Sequence, residues 1–198
     1  MEVIVHRINR IEELKMIDPS FGVEIDIRTH GSELILNHEP FKKGDKLVDY
    51  LSEYKHGTLI LNIKESGIEE AVLTLVKDYG LINEYFLLDV EFPFIKKALK
   101  NNIRNIAIRY SEFESIETIK NFIGLLDWVW IDTFTKLPLN QKSIDILKNF
   151  NTCLVCPERW HRPQDIVLYQ KKLKKLNFGI TGVMTSKETI SKWLVKGI

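Results

Sequence analysis

Short runs rich in β-branched and aromatic residues recur eight times along the chain, and most lead into a stretch with apolar residues at helical spacing. The runs cover 3–7, 22–28, 58–64, 85–90, 105–110, 128–134, 151–158 and 178–185. Helical spacing marks 44–54, 68–79, 92–100, 115–125, 141–150, 164–176 and 187–195, with room for one short helix in 9–20. Strands that alternate with helices pair in parallel, and eight of them close a β/α barrel. The pattern therefore predicts an α/β chain, a compact TIM (β/α)8 barrel, as a single domain over residues 1–198. An open doubly wound sheet competes, but "HRINR" after the first run has no glycine to build a phosphate loop. At 198 residues the chain is short beside the roughly 250 typical of the barrel. Its helices and loops must be close to minimal.

Composition narrows the function classes. With 44% hydrophobic and 28% charged residues, the chain has the makings of an ordered core. The formal net charge of +1 gives no reason to expect a nucleic-acid partner, so any phosphate recognition must come from a local cluster. The start, "MEVIVH", lacks a basic segment and a long apolar stretch, so no signal peptide is expected there. No window approaches the ~18 apolar residues of a spanning helix, so stable membrane insertion is not expected and a cytoplasmic location is. Cys153 and Cys156 form a C-x-x-C within a β-rich run, where positions three apart face opposite sides. No second pair completes a metal site, and both read as core residues. Oligomeric state is left open.

The stretch "VEIDIRTHGSELILNHEP" carries the chemistry. Glu24, Asp26 and Arg28 alternate with Val23, Ile25 and Ile27, and a turn then returns a second extended run that ends near His38. His6 and Arg7 end the first run, Asn62 and Lys64 share a face at the end of the third, and in a barrel such ends form the active-site mouth. Asp89, Arg109, Asp132 and Glu158 also lie near run ends, where salt-bridge and substrate roles stay open. Burying Glu24 beside Asp26 without a partner is costly. Two remedies fit: a divalent cation, or pairing with Arg7, Arg28 and Lys64. Two carboxylates and an amide favour a hard ion, Mg²⁺ or Ca²⁺. Arg7 and Lys64 then suit a phosphate, and His6 and His38 suit acid and base roles. Trp128 and Trp130 share one strand face and read as interior fillers, while Trp160 follows the seventh run.

These residues resemble the glycerophosphodiester phosphodiesterase family, within the phospholipase C-like barrel phosphodiesterases. The resemblance rests on His6-Arg7, Glu24-Ile25-Asp26, His38 after the hairpin, and Asn62-Ile63-Lys64, with a weaker echo in "GVMTSKET". It implies that His6 and His38 form the acid/base pair, that Glu24 and Asp26 ligate the metal with Asn62 in the third place, and that Arg7 and Lys64 hold the phosphate. It also implies a phosphoric diester hydrolase acting on a small-molecule or lipid-derived phosphodiester. The chain departs from the family's pattern at Ile8, where a glycine is expected, at Asn62, where a third acid is expected, and at Glu39, where an aspartate follows the histidine. The alternative is a catalytically degenerate barrel that keeps a phosphate-binding role. A Schiff-base enzyme working through Lys64 would leave the two histidines unexplained.

Overall fold

The computed structural model describes residues 1–81 and 84–194. Its strands are β1 Glu2–Val5, β2 Gly22–His30, β3 Glu33–Leu36, β4 Asp45–Lys46, β5 Leu59–Ile63, β6 Tyr85–Leu88, β7 Ala107–Tyr110, β8 Trp128–Ile131, β9 Asn151–Val155 and β10 Gly182–Thr185. Its helices are α1 Ile11–Leu14, α2 Leu47–Glu53, α3 Glu69–Asp78, α4 Phe92–Lys100, α5 Ile116–Lys120, α6 Gln141–Leu147, α7 Ile166–Lys175 and α8 Ile190–Leu194. Each of the eight β-rich runs contains a strand. The hairpin adds two further short strands, β3 and β4. The run 151–158 stops short because Pro157 cannot donate to a ladder and instead opens a single 3₁₀ turn, Pro157–Trp160. The predicted end of the last helix, Val195, lies outside the described residues.

The chain resolves into two compact units, His6–Ile106 and Met1–Val5 together with the chain from Ala107 onward. In the unit that begins at Met1, β1, β10, β9, β8 and β7 pair in that order, all parallel. Cys153 and Cys156 are buried there, and Trp128 and Trp130 are buried as well. Helix starts are set locally: Ser115 caps α5 by accepting from the Glu117 N–H, and Asn140 and Ser143 form a reciprocal capping box on α6.

In the unit His6–Ile106, β2, β5 and β6 run parallel, and β3 and β4 extend the sheet antiparallel from β2. The hairpin turns at Gly31-Ser32, where Gly31 takes a φ of 64°, the left-handed value that tight two-residue connections need. The register sets Asp26 opposite Asn62 and Arg28 opposite Ile35. Both faces of β2 are buried. Val23, Ile25 and Ile27 are fully enclosed on one side, each burial contributing about 1.5–3 kcal/mol. Glu24 and Asp26, on the other, are each only 1% exposed. The charged face of β2 is thus internal, and the fold must supply it with donors or cations.

Candidate active site

All seven candidate residues fall in the unit His6–Ile106. Parallel β2, β5 and β6 bring their C-terminal ends together, so Asp26, Asn62, Lys64 and Asp89 arrive at one end of the sheet. Six of the seven candidates form one connected cluster. The Asn62 amide donates to Glu24 Oε1 at 2.8 Å, and the Arg7 backbone N–H donates to Glu24 Oε2 at 2.8 Å. His6 Nε2 stands 3.8 Å from the same Oε2. Lys64 Nζ lies 3.3 Å from Asp26 Oδ1 and 3.6 Å from Asp89 Oδ2, while Arg7 Nε lies 3.6 Å from Asp26 Oδ2.

Two backbone distortions help. Arg7 has a φ of 57° and Asp89 a φ of 59°, left-handed values that side chains other than glycine rarely adopt. At Arg7 this turns the N–H back onto Glu24 just after β1, and the next N–H, of Ile8, donates to the Glu24 carbonyl at 2.9 Å. Sparsely populated backbone conformations concentrate at functional sites because surrounding contacts must hold them.

Burial, with the charge of Asp26 as the second cause, pushes the Glu24 carboxyl up to about 7, against the lowering effect of the Asn62 and Arg7 donors and of Lys64. The surrounding donors and cations thus offset only part of the cost of enclosing this carboxylate. Asn62 Oδ1 is also buried with no hydrogen-bond partner. Two enclosed carboxylates beside a carbonyl oxygen with no hydrogen-bond partner are a donor set that fits a hard divalent ion through Glu24, Asp26 and Asn62. Among the described residues no three His, Cys, Asp or Glu side chains gather as a metal-binding group, so an ion held here would need the neutral Asn62 amide as its third ligand.

His38 lies two residues past β3, half-exposed, and its Nδ1 meets Glu39 Oε1 at 2.6 Å. That bond, followed by the charge of His38, holds the Glu39 carboxyl below its ordinary range. Glu39 thus orients the imidazole, a role its neighbouring position allowed but that no spacing signalled. His38 shares the wall of a cavity of about 620 Å³ with Arg7, Asn9, Arg10, Lys43 and Asp45. Most of the residues that line it are polar or charged.

Two residues outside the candidate set build the site. Asn9 makes a reciprocal pair with Asp26: its Nδ2 donates to Asp26 Oδ2 at 2.8 Å and its Oδ1 accepts the Asp26 backbone N–H at 2.8 Å. Arg28, a candidate partner for the carboxylates in the sequence, instead donates from Nε and Nη2 to the carbonyl of His38 and from Nη1 to the carbonyl of Lys64. No sequence spacing announces either. The other polar run ends are accounted for locally, as Arg109 Nη1 and the Trp160 indole N–H both donate to Asp132.

No protein-family model matches the chain, and no curated protein matches it in sequence. Solved structures do. A protein of Agrobacterium tumefaciens strain C58, assigned as a glycerophosphoryl diester phosphodiesterase, superposes with a TM-score of 0.70 at 11% identity, covering 98% of this chain and 96% of its own. A glycerophosphodiester phosphodiesterase of the same strain superposes with a TM-score of 0.61 at 11% identity, covering 94% of this chain and 96% of its own. Likeness at this identity speaks for fold. The alternating strands and helices, the polar groups at the strand ends and these superpositions agree that the chain has the α/β, TIM-barrel-type fold of the glycerophosphodiester phosphodiesterases.

Proposed function

We propose that the chain is a metal-dependent phosphodiesterase acting on a small-molecule or lipid-derived phosphodiester, with His6 and His38 as its acid–base pair. The observation that carries this reading is the buried Glu24–Asp26 pair, joined to Asn62, Arg7 and Lys64 and with His6 at its edge. A purely structural core has no use for two enclosed carboxylates. The fold likeness to phosphodiesterases supports the same class.

Arg7 and Lys64 bind the phosphate through their charges. One histidine takes a proton from the attacking oxygen, which is water or a hydroxyl neighbouring the phosphate in the substrate. The new P–O bond forms as the bond to the leaving alcohol breaks, and the second histidine protonates that alcohol's oxygen. A divalent ion, Mg²⁺ or Ca²⁺, held by Glu24, Asp26 and Asn62 would supply charge neutralisation for the phosphoryl oxygens. With Asn62 in place of a third acid, its binding is weaker than at an all-carboxylate site. The polar and charged side chains that line the cavity beside Arg7 and His38 suit a hydrophilic alcohol better than an acyl chain.

One observation favours the second reading, a degenerate barrel that binds a phosphate ligand without turnover. All four carboxylate oxygens of Glu24 and Asp26 already have a protein donor: Asn62, the Arg7 N–H, Lys64 and Asn9. Assays against a chromogenic phosphodiester and a panel of glycerophosphodiesters, with Mg²⁺, Ca²⁺ or a chelator, separate the two. The expected result is metal-dependent turnover that falls roughly 10²–10⁴-fold in His38→Ala. A folded protein that turns over no diester, and whose melting temperature no metal moves, establishes the second reading instead.

A further inference from the structure

Arg28 reaches two of the proposed site residues through their backbone carbonyls. It stands on β2, flanked by β3 on one side and β5 on the other. The last rungs binding those neighbours to β2 run from the Asn37 N–H to the Asp26 carbonyl and from the Lys64 N–H to the Ile27 carbonyl, each 3.0 Å. Beyond them both chains leave the strand, one carrying His38 and the other continuing from Lys64. There the guanidinium takes over: Nε and Nη2 each donate to the His38 carbonyl at 3.1 Å, and Nη1 donates to the Lys64 carbonyl at 3.0 Å.

We propose that Arg28 is a positioning residue that clamps the backbones of His38 and Lys64 in one fixed relation, so that acid–base group and phosphate-binding cation meet the same phosphorus. This rests on the phosphodiesterase reading above. A planar fork with five donors can span two carbonyls at once, whereas a lysine ammonium is a point charge on a flexible stem. Three of the five N–H groups are spent on backbone. Strand pairing alone would leave His38, two residues past β3, free to swing with its loop. Misplacement of a reacting group by about 1 Å can cost on the order of 10²-fold in rate, and Arg28 is built to prevent it.

The test is a double-mutant cycle on the metal-loaded protein. Arg28→Gln and Arg28→Lys are expected to lower kcat/KM roughly 10- to 100-fold while urea unfolding shows both variants folded. In the His38→Ala and Lys64→Ala backgrounds the same change is expected to cost less, by about threefold or more, because its target is gone. A residue that merely supports the fold would cost the same in every background, and that result overturns the proposal. If the wild type turns over no diester, inorganic phosphate titrated by calorimetry is the readout. Phosphate binding weakened about fivefold or more in Arg28→Gln then supports the clamp while the hydrolase reading falls. Unchanged phosphate affinity, or no phosphate binding by the wild type, overturns the clamp.

Discussion

Glu24 concentrates the chemistry of the site into one carboxyl group. Its environment raises its pKa from 4.5 to about 7, so in metal-free protein the folded state holds a proton that the unfolded chain releases at lower pH. The stabilisation from that proton is fully present below about pH 4.5 and is lost as pH rises through about 7. Urea unfolding in the presence of a chelator is therefore expected to show wild type losing stability relative to Glu24→Gln between about pH 5 and about pH 8, by a few kcal/mol. Parallel pH profiles for the two proteins would contradict this. The alternation Glu24-Ile25-Asp26-Ile27 exposes its strand period directly, so the carboxylate pair was legible. Asn9 and Arg28 were not, because they act on partners 17, 10 and 36 positions away through contacts only the folded chain creates.

The elements around the site owe their shape to a few local devices. Eight strands were legible from their composition, but β4, with two residues, is too short to leave a pattern, and β3 ends before His38, its last bond to β2 running from the Asn37 N–H to the Asp26 carbonyl. The chain returning from β3 passes so close to it that a Cβ on Gly44 would overlap the Leu36 carbonyl oxygen. Asp45, the next residue, accepts the Ile11 N–H at 2.7 Å and so pins the start of α1, while the Asn37 amide holds the Lys43 carbonyl at 2.9 Å. Gly44→Ala is therefore expected to destabilise the protein by about 1–3 kcal/mol, through displaced backbone rather than lost burial. Urea unfolding measures it. An unchanged midpoint would mean the segment shifts freely.

For the molecule as a whole, the spacing of the runs predicted the barrel-type fold that the superpositions bear out, because strand number and alternation survive at 11% identity. The C-x-x-C reads the same way in sequence and structure. Cys153 and Cys156 are both enclosed, the Trp193 indole lies against the Cys156 sulfur, and burial pushes that thiol up to about 12. Neither thiol is expected to react with an aromatic disulfide reagent near pH 8 on a timescale faster than global unfolding, and the rate should rise with urea. Rapid labelling of the native protein would show that this interior opens locally. No helix among the described residues is long and apolar enough to cross a membrane. The hairpin beside the site carries one more consequence, for behaviour at high concentration. Among the described residues β4 pairs only with β3, and it offers two residues, Asp45 and Lys46, with Lys46 ion-paired to Glu33. An outer strand so brief and so charged gives a second copy little on which to template edge-to-edge growth, so the exposed border of this unit resists fibre formation.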